Sequence, residues 1–567
     1  MVIKTEVLEA GHALSREAQP AISSLAKALS GKGRVTLIVG AGFSIDAGLP
    51  SWQTLIGDLA TAIGEVDGHD MGQMAASDSD DLLRKAEYVL RMRIEAKGYG
   101  TPEDLIRTAL YEDRKGAVPG PLLRALAQLV ASLGDRVTIL TTNFDEMLES
   151  ALETRKVRSK AILNVGLEKW KQEVTSCQRR GVVPIYHLHG RVSRVKNDRT
   201  DSIVLTESHF LKHGPRVREI VVEALKSSTT VCLGLSLTDP NLVGPLWDTR
   251  KARKPTFAIA VPGAVDGFDR KASSAYFLHK NRYLERELEI TPIYLKNYGQ
   301  LEQFIYEMDL AAKNVRRYLL PADDVNCTAY GARLRRALEG VTTALGSTRS
   351  KPVPRGSASE ALRKKLAAEL GTGEKAGRVS QLLERYSNDE AVTDLLRKLE
   401  HKVKAASRTR EKFGLQLWVR VPAHGVAHAR YEILLAGSSH FVFHPPADES
   451  LTTWSVDAHS ENMAARALAR GRGYMWKTTP EISLGMWQGM FAAPVRLIQT
   501  IPSRSGDLRV PLAIGALALT TTHTIQVQRE DIPPDSKLSL LSALNAEQRR
   551  ELGSILGAVG AELLSAP

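Results

Sequence analysis

Four polar or glycine-rich segments contain the side chains best suited to chemistry, and each follows an apolar run typical of a buried strand. They are Gly40-Ala41-Gly42, Thr142-Asn143-Phe144-Asp145, His187-Leu188-His189-Gly190 and Gly234-Leu235-Ser236. A glycine turn between a strand and a helix presents backbone N–H groups and a positive helix end, so the first segment is expected to bind a phosphate or diphosphate. Histidine exchanges protons near neutral pH, which makes His187 and His189 candidate general bases.

The four segments are expected to line one shared crevice, because ligands of open α/β sheets bind at the carboxyl ends of the strands. The glycines alone are a weak indication, since Ile45 stands where the fingerprint G-x-G-x-x-G has its third glycine. A tight structural turn is the alternative for Gly40 and Gly42, and a satisfied structural residue is the alternative for either histidine. Strand alternation would place His187 and His189 on one face, so their spacing does not choose between them.

The stretches GAGFSIDAGLP, TTNFD, HLHG and GLS resemble the motifs of the sirtuin superfamily in order and in approximate spacing. They are most similar to its bacterial branch of NAD-consuming sirtuin-like domains, found in anti-phage systems such as Thoeris. The resemblance covers residues 20–315. It implies an NAD+ glycohydrolase that takes NAD as its substrate and releases nicotinamide and ADP-ribose.

The resemblance also implies which residues are catalytic. It places Asn143 on the ribose hydroxyls or on the attacking water, and an amide suits this role because it is neutral and both donates and accepts. The His-Gly pair of the family corresponds to His189-Gly190, which selects His189 as the general base. Whether His187 shares that role stays open.

The residues expected to bind NAD are Gly40, Ala41, Gly42, Ser44, Asp145, Gly234, Ser236 and Asp239. The segment from Gly40 to Ser44 would hold the diphosphate. Asp145 would bond a ribose or the carboxamide, and Ser236 and Asp239 would lie by the adenosine ribose. Helix capping is the alternative for Asp145, and also for Ser236 and Asp239, because Pro240 suits the first turn of a helix.

Two departures from the family narrow the function. Ser51-Trp52-Gln53 stands where the family often has Asp-Phe-Arg, which removes a charged contact near the nicotinamide. Sirtuin deacylases usually carry a four-cysteine zinc ribbon, whereas this chain has only Cys177, Cys232 and Cys327, with no C-x-x-C pair. Deacylation and ADP-ribosyl transfer are therefore less favoured, no metal is expected, and the cysteine usage fits a reducing cytoplasm.

Composition fits a cytoplasmic protein of several domains. The chain has 567 residues and a net charge of +12, but its basic residues are dispersed among acidic ones, which indicates a solvated surface more than a nucleic-acid platform. The first residues lack the apolar core of a signal peptide, and Pro511–Leu519 is too short and too rich in glycine to span a bilayer.

The predicted architecture is α/β with added domains. A helical leader over residues 1–33 precedes a sirtuin-like domain over 34–319, a doubly wound parallel sheet of Rossmann type with a helical insert. A helical connector over 320–411 contains a linker at 347–359, and 412–567 forms an α+β domain. Ser202–Leu205 is predicted as a strand. The stretch between Arg155 and Arg180 shows no clear helix or strand pattern.

The order of elements in residues 412–567 resembles a GAF domain, through ALARGRGYMW, AAPVRL and LAIGALALTTT. The resemblance implies a sensor or dimerisation domain, with a small nucleotide as activator and a homo-oligomer as the assembly. No membrane partner is expected, and a nucleic acid or a second defence protein stays open. The alternative for the whole chain is a non-catalytic sensor that binds NAD or ADP-ribose.

Overall fold

The structure is a computed structural model that describes residues 19–565 with gaps. The gaps are residues 62, 67–68, 78–80, 98–100, 113–116, 164, 196–202, 262–275, 278, 280–281, 296–297, 316–336, 339, 342, 345–357, 403–410, 423–430, 440–452, 457–459, 478–486, 502–507 and 527–536. The described residues form two compact units. The N-terminal unit lies within residues 16–295 and 304–319, and the C-terminal unit lies within 296–303 and 320–567.

A seven-stranded parallel sheet forms the centre of the N-terminal unit. The strands up to residue 294 are β1 (Val35–Val39), β2 (Glu65–Val66), β3 (His69–Asp70), β4 (Val137–Thr141), β5 (Ser159–Ile162), β6 (Val183–His187), β7 (Thr229–Leu233), β8 (Thr256–Ala260) and β9 (Thr291–Tyr294). The order in the sheet is β5-β6-β4-β1-β7-β8-β9, and β2 pairs with β3 outside it. This confirms the predicted doubly wound parallel sheet.

The strand order reverses at β1, which lies between β4 and β7. Val39 at the end of β1 is opposite Thr141 of β4 and Leu233 of β7, and Thr141 is opposite His187 of β6. The carboxyl ends of these strands therefore share one edge, where doubly wound sheets bind ligands. Every residue of β1 is buried, which explains the continuous apolar run in its sequence.

Helices connect and cover the strands of this sheet. They are α1 (Gln19–Ser30), α2 (Gly42–Asp46), α3 (Trp52–Thr61), α4 (Met71–Ser77), α5 (Leu82–Lys97), α6 (Pro102–Arg107), α7 (Pro121–Leu133), α8 (Met147–Thr154), α9 (Leu167–Arg179), α10 (Glu207–Ser227) and α11 (Pro240–Thr249). A further helix, α12 (Gly299–Lys313), follows β9, and only its residues from 304 onward belong to this unit. The predicted helical insert is present as α3 to α7 between β1 and β4. Residues of α9, α10 and α11 share a buried core with β1, β4, β6 and β7.

Two sequence-based assignments in this unit need correction. The stretch without a clear pattern contains β5 and α9, where Trp170, Val174 and Cys177 form a buried stripe among charged residues. The predicted strand at Ser202–Leu205 is wrong for its described part, because residues 203–205 join no sheet. Instead, the backbone N–H of Val204 donates to the His189 carbonyl over 2.8 Å.

A six-stranded antiparallel sheet forms the C-terminal unit, in the order β12-β11-β10-β15-β14-β13. Its elements are α13 (Ala358–Gly371), α14 (Glu374–Ser387), α15 (Glu390–Lys402), β10 (Phe413–Pro422), β11 (Tyr431–Ser438), β12 (Thr453–Ser455), α16 (Met463–Arg470), β13 (Tyr474–Lys477), β14 (Gly489–Ile501), β15 (Leu508–Thr521) and α17 (Ala546–Ser565). The sheet confirms a separate α+β domain here. The predicted linker at 347–359 lies almost entirely outside the described residues. None of the described helices combines the length and apolar character needed to cross a bilayer.

Candidate functional site

The glycine turn after β1 packs directly against the loop after β7. A Cβ atom at Gly40 would lie 2.5 Å from the Gly234 carbonyl oxygen and 2.5 Å from Leu235 Cδ2, and one at Gly42 would lie 3.2 Å from Gly234 Cα. Gly234 itself has a φ of +64° and faces the Phe43 ring. These glycines therefore allow two strand ends to meet, whereas the sequence suggested an approach to a ligand.

The backbone amides of this turn are largely used within the protein. Gly40 N donates to the Leu233 carbonyl over 2.9 Å and Gly42 N donates to the Gly234 carbonyl over 3.3 Å. The N–H groups of Phe43 and Ser44 donate to carbonyls of the same turn. The sequence predicted free backbone N–H groups at the start of α2. That prediction is wrong for these four groups, because each of them donates to a carbonyl of the protein.

Asn143, Ser44 and Asp145 form a chain of hydrogen bonds between the ends of β1 and β4. Asn143 Nδ2 donates to Ser44 Oγ over 2.7 Å and to the Gly40 carbonyl over 3.2 Å, and Ser44 Oγ donates to Asp145 Oδ2 over 2.6 Å. Because the Gly40 carbonyl can only accept, the nitrogen of the Asn143 amide must face it. The other atom, Asn143 Oδ1, is buried and has no hydrogen-bond partner among the described residues.

These contacts change the expected roles of Ser44 and Asp145. The Ser44 hydroxyl faces protein atoms, whereas the sequence placed it on a diphosphate. The Oδ1 atom of Asp145 accepts from the Met147 backbone N–H over 3.0 Å. Asp145 therefore caps the start of α8, which was the alternative predicted from the sequence. Burial raises the pKa of Asp145, and the hydrogen bonds from Ser44 and Met147 offset this only in part.

His189 lies in a turn just beyond β6 and faces Asp239. The two atoms His189 Nε2 and Asp239 Oδ2 are 2.8 Å apart, yet they are not aligned for a hydrogen bond, so each could turn to a ligand. The His189 ring also contacts Phe210, with ring centroids 5.2 Å apart, and Phe144, at 6.4 Å. An aromatic wall thus encloses the imidazole next to a carboxylate.

His187 points elsewhere, which corrects the expectation that both histidines face the same way. Strand β6 ends at His187, so the alternation of a strand does not extend to His189. His187 Nδ1 is 2.8 Å from the Asn143 carbonyl oxygen, and Nε2 is 2.9 Å from Glu149 Oε1. His187 is completely surrounded by protein, with 1% of its surface exposed, and its two nitrogens are engaged.

The loop after β7 supplies Gly234, Ser236 and Asp239. Ser236 is exposed, and its hydroxyl is 2.7 Å from Thr238 Oγ1. Asp239 is the N-cap of α11, where its Oδ1 accepts from the Asn241 backbone N–H over 2.8 Å and Pro240 occupies the first turn. The predicted capping alternative therefore holds for Asp239, and its second oxygen still faces His189.

The strand register brings Asn143 and His189 to the same edge of the sheet. Thr141 and His187 are direct neighbours on β4 and β6, and each candidate residue follows two positions later. Neighbouring strands lie about 4.8 Å apart. The backbone of Leu188 donates to the Thr141 carbonyl over 2.8 Å, which extends the contact past the strand ends. The structure thus brings the two predicted catalytic residues to one edge.

Sequence reasoning missed several residues of this site. Phe210 and Trp52 stack with ring centroids 6.3 Å apart and extend the aromatic wall at His189. Glu149 holds His187, and its only signal in the sequence is its position one helical turn after Asp145. Trp52 was noted only as a departure from the family, yet its indole Nε1 is buried with no hydrogen-bond partner among the described residues.

No group of three or more histidine, cysteine and acidic side chains that could hold a metal ion occurs in the described part of the chain. The histidines at 424, 428, 440 and 444 lie outside it. Two cysteines are described, Cys177 on α9 and Cys232 on β7, and both are buried. Burial raises the pKa of the Cys232 thiol to about 12, so this thiol stays protonated and unreactive at neutral pH.

Comparison with known proteins gives a family match over part of the chain. Residues 137–284 match the family described as "SIR2-like domain". This segment begins at β4 and contains Asn143, His189 and Asp239, but not the glycine turn after β1.

Two curated relatives, each named "NAD(+) hydrolase ThsA", are similar to about half of the chain. The Enterococcus faecium protein is 24% identical over 302 residues, which cover 51% of this chain and 56% of the relative. The Bacillus cereus (strain MSX-D12) protein is 23% identical over 283 residues, which cover 48% and 53%. The chain thus spans about half the length of these relatives. A solved structure titled as a SIR2 homolog–NAD complex is 13% identical, with a TM-score of 0.29, over 55% of this chain and 98% of that one.

Proposed function

We propose that the crevice at the carboxyl ends of β1, β4, β6 and β7 binds NAD+ and that the chain hydrolyses its N-glycosidic bond. The observation that carries this proposal is a set of buried polar atoms without aligned hydrogen bonds among the described residues: Trp52 Nε1, Asn143 Oδ1, His189 Nε2 and Asp239 Oδ2. Buried polar atoms in folded proteins are normally satisfied. Three of these atoms lie in the loops after β4, β6 and β7, and Trp52 of α3 stacks on the Phe210 ring that contacts His189, so the group fits a polar ligand. The names of the two relatives support NAD+ as that ligand.

The proposed reaction needs little acid catalysis because nicotinamide leaves as a neutral ring. The oxygen of a water molecule attacks C1′ of the ribose, the C1′–N bond breaks, and its electron pair neutralises the pyridinium nitrogen. The proton lost by the water passes to His189. The Asn143 oxygen is free to accept a hydrogen bond from the water or from a ribose hydroxyl, because its nitrogen is held by Ser44 and Gly40.

The remaining binding contacts are part of the same proposal. The diphosphate is assigned to the segment from Gly40 to Ser44, and the adenosine ribose to Gly234, Ser236 and Asp239. Asp145 acts there through Ser44, with which it shares a hydrogen bond. A diphosphate at this turn would be held mainly by groups other than the four amides that already donate to carbonyls.

We also propose that the C-terminal unit controls this activity in an anti-phage effector. Uncontrolled cleavage of NAD+ would harm the cell that makes the protein, so a second domain that restrains it is physically reasonable. We assign a GAF-like sensor or dimerisation role to residues 412–567, with a small nucleotide as activator and a homo-oligomer as the active form. The support is the separate antiparallel sheet with its own helices.

The proposed function is tested by release of nicotinamide from NAD+ by the full chain, with and without cyclic nucleotides. Asn143→Ala and His189→Ala should each abolish release, and binding of NAD+ measured by calorimetry should persist. Asn388→Ala and His401→Ala are matched controls, since both residues are exposed, Asn388 in the turn between α14 and α15 and His401 on α15. Bound NAD+ with no nicotinamide under any activating condition would reject hydrolysis and leave a nucleotide sensor.

A further inference from the structure

The buried contact between His187 and the Asn143 carbonyl suggests a role for the first histidine of the HLHG segment. Both ring nitrogens of His187 face atoms that accept: a backbone carbonyl at 2.8 Å and the Glu149 carboxylate at 2.9 Å. A carbonyl oxygen has no proton to give, so Nδ1 must donate to it. An ionised Glu149 likewise accepts from Nε2. The arrangement therefore describes an imidazolium that donates in two directions.

The groups around His187 favour this charged form. Burial lowers the pKa of His187, but the charge of Glu149 and the two hydrogen bonds outweigh it and raise the pKa above its ordinary value. Burial likewise raises the pKa of Glu149, and the opposite effect of His187 lowers it overall. Arg191 adds a second positive charge, with its Nε 3.6 Å from Glu149 Oε1, and Asp145 is the other acidic group close to the pair.

We propose that His187 is a positioning residue, which fixes the backbone of Asn143 and thereby aims the Asn143 amide, and that it is not a base. The inference rests on the proposed role of Asn143 in the crevice. Asn143 is held on its other sides by Thr141 Oγ1, which accepts its backbone N–H over 3.1 Å, and by the Gly40 carbonyl, which accepts from Nδ2. His187 is the clamp on its carbonyl. An imidazolium has no free lone pair, so it cannot take a proton from water.

Two substitutions separate the two hydrogen bonds of His187. An asparagine side chain places its nitrogen near the position of Nδ1, so His187→Asn keeps the hydrogen bond to the Asn143 carbonyl and loses the one to Glu149. A glutamine side chain places its nitrogen near the position of Nε2, so His187→Gln keeps the hydrogen bond to Glu149 and loses the one to the Asn143 carbonyl. Both variants remove the charge and the titratable ring, and they are therefore matched.

Positioning predicts opposite orders of activity and stability for this pair. His187→Gln should lower kcat for nicotinamide release by about 100-fold with KM little changed, because a misplaced catalytic group costs about that much. His187→Asn should stay within about tenfold of the wild-type kcat by the same reasoning. In thermal melts His187→Asn should be the less stable variant, because it leaves a buried carboxylate without its main partner.

Deuterium exchange of the segment around Asn143 gives a readout that needs no catalysis. His187→Gln should speed exchange there more than His187→Asn does. Exchange can be measured even if the wild type releases no nicotinamide. That failure would refute the proposed function but not the positioning role of His187. If His187→Asn does not fold, Glu149→Gln replaces it, because its amide oxygen still accepts from Nε2 and leaves the clamp in place. Equal loss of kcat in both histidine variants, activity that follows melting temperature, or no difference in exchange would overturn the inference.

Discussion

Gly40 offers the sharpest test of how the crevice is built, through the substitution Gly40→Ala. The added Cβ would lie 2.5 Å from the Gly234 carbonyl oxygen, 2.5 Å from Leu235 Cδ2 and 2.9 Å from Leu235 Cγ. The leucine side chain can move aside. The carbonyl cannot move freely, because it accepts the Gly42 backbone N–H over 3.3 Å and belongs to a residue with a φ of +64°.

The size of the effect follows from comparing three glycines. Overpacking a closed site costs about 1–3 kcal/mol, and contact with a backbone atom places Gly40→Ala in the upper half of that range. Gly42→Ala should cost less, since its Cβ would lie 3.2 Å from the nearest atom. Gly57 lies inside α3 with nothing within 4 Å of a Cβ, so Gly57→Ala should stabilise by about 0.5–1 kcal/mol.

Calorimetric melting of the full chain and measurement of NAD+ affinity together show whether Gly40 is required for packing or for the approach of a ligand. The first transition of Gly40→Ala should fall by several degrees, since about 1 kcal/mol corresponds to ~2–4 °C for a unit of this size. Gly42→Ala should lie between it and the wild type, and Gly57→Ala should melt at or above the wild type. If Gly40→Ala melts like the wild type while its NAD+ affinity drops, the glycine serves ligand approach, as the sequence suggested, and the packing argument is refuted.

Three further predictions concern contacts of the same unit. Asp239→Ser keeps a cap on α11 but removes the charge beside His189, so it should melt like the wild type and release less nicotinamide, whereas Asp239→Ala should also lose about 1 kcal/mol. Ser44→Ala should destabilise by about 1–3 kcal/mol, seen in urea titrations, because Asp145 keeps a buried oxygen without its donor. Burial raises the pKa of Glu87, but hydrogen bonds from the α10 start outweigh it and lower the pKa to about 2 from its ordinary 4.5. The unfolded chain then binds this proton more readily, so the stabilisation is full above pH 4.5 and lost as pH falls towards 2, and in acid titrations Glu87→Gln should lose less stability than the wild type over that range.

The strands that carry the site could be predicted from the sequence alone. β1, β4, β6 and β7 are buried along almost their whole length, so each reads as a continuous apolar run that ends at a polar or glycine residue. The cap of α17 at Asn545 was equally readable, because capping depends on neighbours in the chain, and its Oδ1 accepts two backbone N–H groups over 2.9 Å each. Features that depend on residues close together in the chain can therefore be predicted from the sequence.

The partners of each site residue were decided only by the tertiary structure. Beyond a strand end, the direction of a side chain depends on the dihedral angles of the loop, so the two-residue spacing of His187 and His189 misled about their orientation. The neighbours of Gly40 and the aromatic contact of Phe210 come from segments far apart in the sequence, brought together by the strand order. The sequence therefore determined which polar residues stand at the sheet edge, and the packing of the loops after β1, β4, β6 and β7 decided which of their atoms are left for a ligand.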